Sequence, residues 1–180
     1  NNHQTLIDEL KTTDLSIELE QVFNSLTAKL NSIAELRDLT PKTKDGILAN
    51  GELLSAKILA NYLKVNFIDS RDVIKTNQGH GKAIVNFNLT NQLIVETFNK
   101  LDGITIVPGF IASTEKDSTT STLGRGGSDY TASIYAAALN ASQVEIWTDV
   151  SGFFTADPRI VSKAFPQTRI SYAEAMELCH

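Results

Sequence analysis

Residues 104–139 read ITIVPGFIASTEKDSTTSTLGRGGSDYTASIYAAAL. The opening run, Ile104-Thr-Ile-Val-Pro-Gly-Phe-Ile111, is apolar enough to be a buried strand. Lys116 to Ser121 is polar and Ser/Thr-rich, the composition of a mobile loop. A glycine-rich turn follows, and from Asp129 to Leu139 an Ala-rich helix. Strand, loop, glycine turn and helix in that order make one β–α step of an α/β fold. The turn, Thr122-Leu-Gly-Arg-Gly-Gly-Ser-Asp-Tyr-Thr131, also carries chemistry. Glycines at 124, 126 and 127 let a ligand approach the main chain. Ser128 or Asp129 can cap the helix, whose free N–H groups and positive dipole end favour an anion. Arg125 supplies a planar donor fork for a carboxylate or phosphate, and Asp129 a partner for an ammonium group. Gly-rich turns are often only turns, and Ser-Asp often only a cap. Both charge signs inside one loop favour a ligand, a zwitterion such as an amino acid lying beside phosphates.

Outward from this stretch the pattern repeats. Leu15, Ile17, Leu19, Val22, Phe23, Leu26, Leu30, Ile33 and Leu36 recur at helical spacing. Thr40-Pro41 starts a second helix, with proline where its missing N–H costs nothing, running through Ile47, Leu48, Leu53, Leu54, Ile58, Leu59 and Leu63. Gly51 in its middle marks close packing, a ligand approach or a tolerated imperfection. Val65–Ile68 and Ala83–Phe87 are short β-type runs around a polar segment, Asn77 to Gly81, and a helix is expected from Thr90 to about Leu101. Val144-Glu-Ile-Trp147 reads as a further strand, and Tyr172 to Leu178 as a helix. Strands alternating with helices give a mostly parallel sheet covered on both faces. Ligands of such sheets bind outside the carboxyl ends of the strands, so Pro108–Phe110, Gly124–Asp129 and Thr148–Arg159 are expected to share one site.

The last of these, Trp147-Thr-Asp-Val-Ser-Gly-Phe-Phe-Thr-Ala-Asp-Pro-Arg159, leaves a strand through two turn signals. Thr148 and Asp149 can hydrogen-bond a ribose or base, and Phe153 and Phe154 offer faces for a flat ring or for the core. Asp157 is either a turn cap or a ligand contact, and Arg159 suits a phosphate.

The 180 residues suffice for one domain with a sizeable core. A net charge of -5 gives no basic footprint for nucleic acid or an anionic membrane. No apolar run is long enough to span a bilayer, and there is no signal-peptide pattern. The single cysteine, Cys179, excludes an internal disulfide and points to a cytoplasmic setting; its helical context reads as a half-buried structural thiol. His3, His80 and His180 lack ligand spacing, so no metal site is expected on them.

Leu123-Gly-Arg-Gly-Gly-Ser-Asp-Tyr-Thr-Ala132, Ile146-Trp-Thr-Asp-Val150 with Thr155-Ala-Asp-Pro-Arg159, Gly51-Glu-Leu-Leu-Ser55 and Glu174-Ala-Met-Glu-Leu178 closely resemble the aspartokinases of the amino-acid kinase fold. The resemblance is strong from Gly109 onward and weak before Pro41. It implies a three-layer α/β sandwich with a mostly parallel central sheet, and phosphoryl transfer from MgATP to the β-carboxylate of L-aspartate. The product would be 4-phospho-L-aspartate, at the head of lysine, threonine and methionine synthesis. It places Arg125 on the substrate α-carboxylate, Glu52 and Asp129 near its α-amino group, and Ser128 and Phe110 in the same pocket. Arg125 and Asp129 are the catalytic candidates. Thr148, Asp149, Phe154, Asp157 and Arg159 fall on the nucleotide side, Phe154 standing where the family commonly has Tyr. Mg²⁺ is implied through ATP, and a homo-oligomer for the full-length parent.

The family opens with a strand bearing Lys-Phe-Gly-Gly-Thr-Ser and has a second lysine in a later Phe-Gly-Ala-Lys stretch. Neither run occurs in residues 1–180. The resemblance therefore describes a partial catalytic domain lacking its N-terminal strand region and the regulatory ACT domains. Such a piece is expected to be inactive alone. The alternatives are a nucleotide- and aspartate-binding fragment without catalysis, or an amino-acid kinase acting on a related carboxylate.

Overall fold

The computed structural model describes Thr5, Glu9, Leu10 and residues 15–178. Cys179 and His180 lie outside the described residues, as do His3 and the rest of the N-terminus. The chain forms two compact units, Asn1–Val144 and Glu145–His180.

In the larger unit, helix α1 (Ser16–Leu36) ends where Arg37 turns left-handed, φ 52°, and returns its N–H to the Ile33 carbonyl at 2.8 Å. Helix α2 (Pro41–Leu63) starts as the Thr-Pro pair requires. Proline occupies the first turn, and the Thr40 hydroxyl accepts the Thr43 N–H at 3.1 Å. α2 buries two faces. Leu54 and Ile58 pack on Leu19 of α1, with Val22 and Phe23 alongside. Ala49 and Leu53 pack on Ile111 of the sheet.

Strand β1 (Asn66–Phe67) runs parallel to β3 (Thr105–Ile106). In a second sheet β2 (Lys75–Thr76) is parallel to β4 (Ile111–Thr114), which pairs antiparallel with β5 (Thr120–Thr122). The one-turn helix α3 (Ser70–Val73) links β1 to β2. Successive β4 side chains point to opposite layers. Ile111 faces α2, while Ala112 joins Ile94 of α4 (Phe87–Phe98) and Ile134 and Tyr135 of α5 (Gly127–Ala138). Helix, sheet and helices thus make the three layers, and the strands are buried on both sides.

Several expectations are corrected. The apolar run 104–111 is two strands in different sheets, because the chain bends at Gly109-Phe110, where Phe110 takes φ +69°. Ala83–Phe87 is no strand: Val85 makes only an isolated bridge to Thr76, and Asn86 caps α4 through Leu89 N–H, so the helix begins at Phe87 rather than Thr90. Val144–Trp147 forms no ladder among the described residues, and Val144, Ile146 and Trp147 stay exposed. A β-type pattern becomes a strand only when another strand takes its N–H and C=O groups. At Gly51 an added Cβ would meet nothing within 4 Å, so neither close packing nor a tight approach requires that glycine.

The supposed loop 116–121 is the tip and return strand of a hairpin. Hydroxyls organise it: Thr76 Oγ1 lies 2.8 Å from Ser121 Oγ, and Asp117 accepts from Thr114 and Thr119, and from Lys42 at 3.3 Å. The Thr114 hydroxyl first, then Thr119 and Lys42, hold the Asp117 carboxyl well below the ordinary carboxylate range. A lowered pKa contributes stability above the unfolded value, about 4, that is lost as pH falls toward the folded one. Amides of residues 114–119 should therefore lose hydrogen-exchange protection selectively in acid below that value. In Asp117→Asn the pH dependence should be absent.

In the smaller unit, Phe154 bridges Pro166, and Thr155 N–H reaches the Phe165 carbonyl at 3.1 Å. Ser171 and Glu174 cap helix α6 (Tyr172–Leu178) reciprocally: Glu174 Oε2 accepts Ser171 N–H at 2.8 Å, and Ser171 Oγ accepts Glu174 N–H at 3.3 Å.

Candidate active site

Three segments of the larger unit converge on a cleft of about 340 Å³, lined by Glu52, Phe110, Gly124, Gly126, Gly127, Ser128 and Asp129. α2 brings Glu52, the β3–β4 turn brings Phe110, and the β5–α5 loop with the first turn of α5 brings the rest. The turn is held to the loop and to the start of α5 by one side-chain hydroxyl and one main-chain bond. Phe110 N–H donates to Thr131 Oγ1 at 3.0 Å, and that hydroxyl donates to the Gly127 carbonyl at 2.7 Å. Leu123 N–H donates to the Phe110 carbonyl at 2.9 Å. From below, Ser70 Oγ donates to the Pro108 carbonyl at 2.5 Å, which leaves the Tyr135 hydroxyl to donate to Ser70 Oγ at 3.1 Å. Burial pushes that phenol up to about 12.

The approach is close enough to demand glycine. A Cβ on Gly109 would sit 3.0 Å from Ser128 Cα, and one on Gly127 would sit 2.8 Å from Phe110 Cδ2. Helix α5 begins at Gly127, two residues earlier than expected, with left-handed Gly126 (φ +69°) as its cap residue. Ser128 and Asp129 are therefore not caps. They lie in the first turn, where their N–H groups find no acceptor among the described residues, beside the carboxylates of Asp129 and Glu52. An anion fits the N–H groups and a cation fits the carboxylates, within one cleft. Arg125 projects from the loop between its glycines, exposed, without an ion pair among the described residues; it is not part of the cleft lining.

Residues 148–159 belong to the smaller unit. Thr148 Oγ1 donates to Asp149 Oδ1 at 3.1 Å. Phe154 is half-buried in its bridge, while Phe153 is more exposed. Asp157 forms the turn by accepting Arg159 N–H at 2.9 Å, and it grips the guanidinium through Nε at 3.1 Å and Nη2 at 2.9 Å. These bonds hold the Asp157 carboxyl low and raise Arg159. Nη1 has no partner among the described residues, and the Arg159 side chain is 88% exposed. Asp157 is thus a turn residue that also orients Arg159. Among the described residues no hydrogen bond joins Thr148 or Asp149 to Phe154 or Arg159; of these residues the structure brings together Thr148 with Asp149 and Asp157 with Arg159.

Asp45 escaped the sequence reading. It is 1% exposed and faces the sheet from α2. The available clue was helical spacing: Asp45, Ala49, Glu52, Leu53 and Ala56 share one face, which puts two carboxylates among small buried residues.

Residues 5–179 match the model of the amino acid kinase family, and the chain belongs to that family. Within it the similarity is to aspartokinases. The chain is 38% identical over 168 residues to lysine-sensitive aspartokinase 3 of Escherichia coli (strain K12), covering 89% of this chain and 37% of that protein. It is 37% identical to the aspartokinase of Rickettsia felis (87% and 40% covered) and 36% identical to the bifunctional aspartokinase/homoserine dehydrogenase of Daucus carota (97% and 20%). The chain thus spans two-fifths or less of these relatives' length. Its fold superposes with a TM-score of 0.84, at 36% identity, on Escherichia coli aspartokinase III in complex with aspartate and ADP, covering 92% of this chain and 38% of that one. The same enzyme in complex with lysine and aspartate gives a TM-score of 0.79 at 37% identity, with the same coverage. Among the described residues no helix is long and apolar enough to cross a membrane.

Proposed function

We propose that the chain is part of an aspartate kinase, a partial catalytic domain whose parent transfers the γ-phosphoryl group of ATP to the β-carboxylate of L-aspartate, giving 4-phospho-L-aspartate and ADP for the synthesis of lysine, threonine and methionine. One observation carries this reading. Glu52 and Asp129 line one cleft at the N-terminus of α5, in a chain similar to a protein whose solved structure holds aspartate and ADP. A zwitterion needs that mixture: the two carboxylates take its ammonium group, while Arg125 and the first-turn N–H groups take its α-carboxylate. Ser128 and Phe110 complete the pocket.

On the nucleotide side Thr148, Asp149 and Phe154 would hold the nucleoside and Arg159, oriented by Asp157, the phosphates. Mg²⁺ is assigned to the phosphates of ATP, the substrate oxygens through which this ion is ordinarily held. The nucleotide supplies the phosphoryl group; the chain's part is positioning and charge neutralisation. Its motifs offer Arg125 and Arg159 for that but no lysine, so residues 1–180 alone are expected to turn over negligibly.

The test is aspartate-dependent ADP release by the full-length parent, with the acyl phosphate trapped by hydroxylamine. Activity with aspartate and little with glutamate is expected; equal or better use of glutamate would overturn the substrate assignment. Wild-type-like rates from residues 1–180 would overturn the expectation for the isolated chain.

A further inference from the structure

Glu52 forms no ion pair among the described residues, yet it must stand at a fixed distance from Ser128 and Asp129 for the cleft to read a zwitterion. Two turns earlier on the same helix, seven residues and about 10 Å away on nearly the same face, lies Asp45. Its carboxylate is bonded from two directions. Oδ1 accepts the Thr122 hydroxyl at 2.7 Å; Oδ2 accepts the Gly81 N–H at 3.0 Å and faces His80 Nδ1 at 3.2 Å. Thr122 ends β5, two residues before Gly124. The same carboxylate therefore fastens α2, which carries Glu52, to the strand that launches the glycine loop. Phe110 and Gly124, both in the cleft lining, also line a second cavity of about 560 Å³ with Asp45, His80 and Thr122.

A buried carboxylate is costly to keep, and apolar packing between α2 and the sheet already exists through Ala49, Leu53 and Ile111. Hydrophobic contacts hold the layers together but tolerate sliding. A carboxylate with two fixed donors sets register. We infer that Asp45, through Thr122, is a positioning residue that sets the separation of Glu52 from the glycine loop and so tunes aspartate affinity. This inference rests on the aspartate kinase reading above.

The experiment uses the full-length parent and its Asp45→Asn, Thr122→Val and Thr122→Ser variants. Thr122→Val removes the hydroxyl at constant shape; Thr122→Ser keeps it. Asp45→Asn and Thr122→Val should each raise KM for aspartate about tenfold while kcat falls less, and the double variant should be no worse than the worse single one. Thr122→Ser should retain wild-type KM. In the same proteins, amide exchange at residues 124–129 should speed up in Asp45→Asn and Thr122→Val only. A folded Thr122→Val protein with unchanged KM and unchanged exchange at 124–129 would overturn the inference, even if Asp45→Asn fails to fold. Altered exchange in a parent that never phosphorylates aspartate would instead sink the kinase reading and leave Asp45 as the anchor of the loop.

Discussion

Arg125→Ala in the full-length parent is expected to lower kcat/KM for aspartate by about two to three powers of ten while leaving the melting temperature where it was. Two charge-assisted hydrogen bonds to one carboxylate are together worth about 3–4 kcal/mol, which is that range of rate. The fold has nothing comparable to lose. Arg125 is exposed, forms no ion pair among the described residues and contributes to no core cluster, and substitutions at such positions usually change stability by no more than about 0.5 kcal/mol. Arg125→Lys keeps the charge without the planar fork, so it should recover only part of the loss. Steady-state kinetics beside thermal melts measure both halves. A melting temperature that falls in step with activity would make Arg125 a structural residue, and unchanged kinetics would remove it from the substrate site.

How much of this was legible in the sequence depends on which force set each feature. Thr40-Pro41 fixed the start of α2 because capping is local: the cap and the proline act within one turn, and no distant contact can reassign them. The hairpin at 114–122 was hidden because threonine and serine are polar by composition yet β-branched or small by shape. They form strands when a neighbouring strand takes their main-chain groups and their hydroxyls find partners, as Thr76 does in Ser121 and Thr114 in the Asp117 carboxylate. The bend at Gly109-Phe110 was visible in the turn dipeptide Pro108-Gly109 but was overridden by the apolar run around it. Hydrophobicity reports burial and is blind to chain direction. Conversely, Val144–Trp147 has strand composition without a ladder, since pairing is supplied by a neighbour and not by the segment itself.

The site divides in the same way. Gly124–Asp129 announced itself through chemistry confined to six residues. Glu52 alone reads as a surface acid; the resemblance pointed to it, and the structure places it on the face of α2 that carries Asp45 and Leu53. The role of Asp45 was invisible because its partners, Thr122 and Gly81, are 77 and 36 residues away in sequence. Only the helical spacing it shares with Ala49, Leu53 and Ala56 pointed to its burial.

Gly127→Ala is the more disruptive change to the cleft itself, and it should cost activity as well as stability, where Gly126→Ala costs stability alone. At Gly127 the added methyl would stand 2.8 Å from Phe110 Cδ2, 3.2 Å from Phe110 Cα and 3.3 Å from Leu123 Cβ. The ring can rotate away, but the Phe110 backbone cannot follow freely: Thr131 holds its N–H, Leu123 bonds its carbonyl, and its φ is already +69°. Either the ring leaves the cleft wall or α5 backs off from the turn, carrying Ser128 and Asp129 with it. A displacement of about 1 Å is enough to cost about a hundredfold in rate, and such overpacking costs about 1–3 kcal/mol in stability. At Gly126 a Cβ meets nothing within 4 Å, but the residue sits at φ +69°, where alanine is strained by about 1–2 kcal/mol. Gly126→Ala should therefore melt earlier and keep its KM for aspartate, whereas Gly127→Ala should lose activity beyond what its lower stability explains at a temperature where both are folded. If the two variants have equal kcat/KM there, the contact between Phe110 and the start of α5 does not shape the substrate pocket, and Phe110 belongs to the core alone.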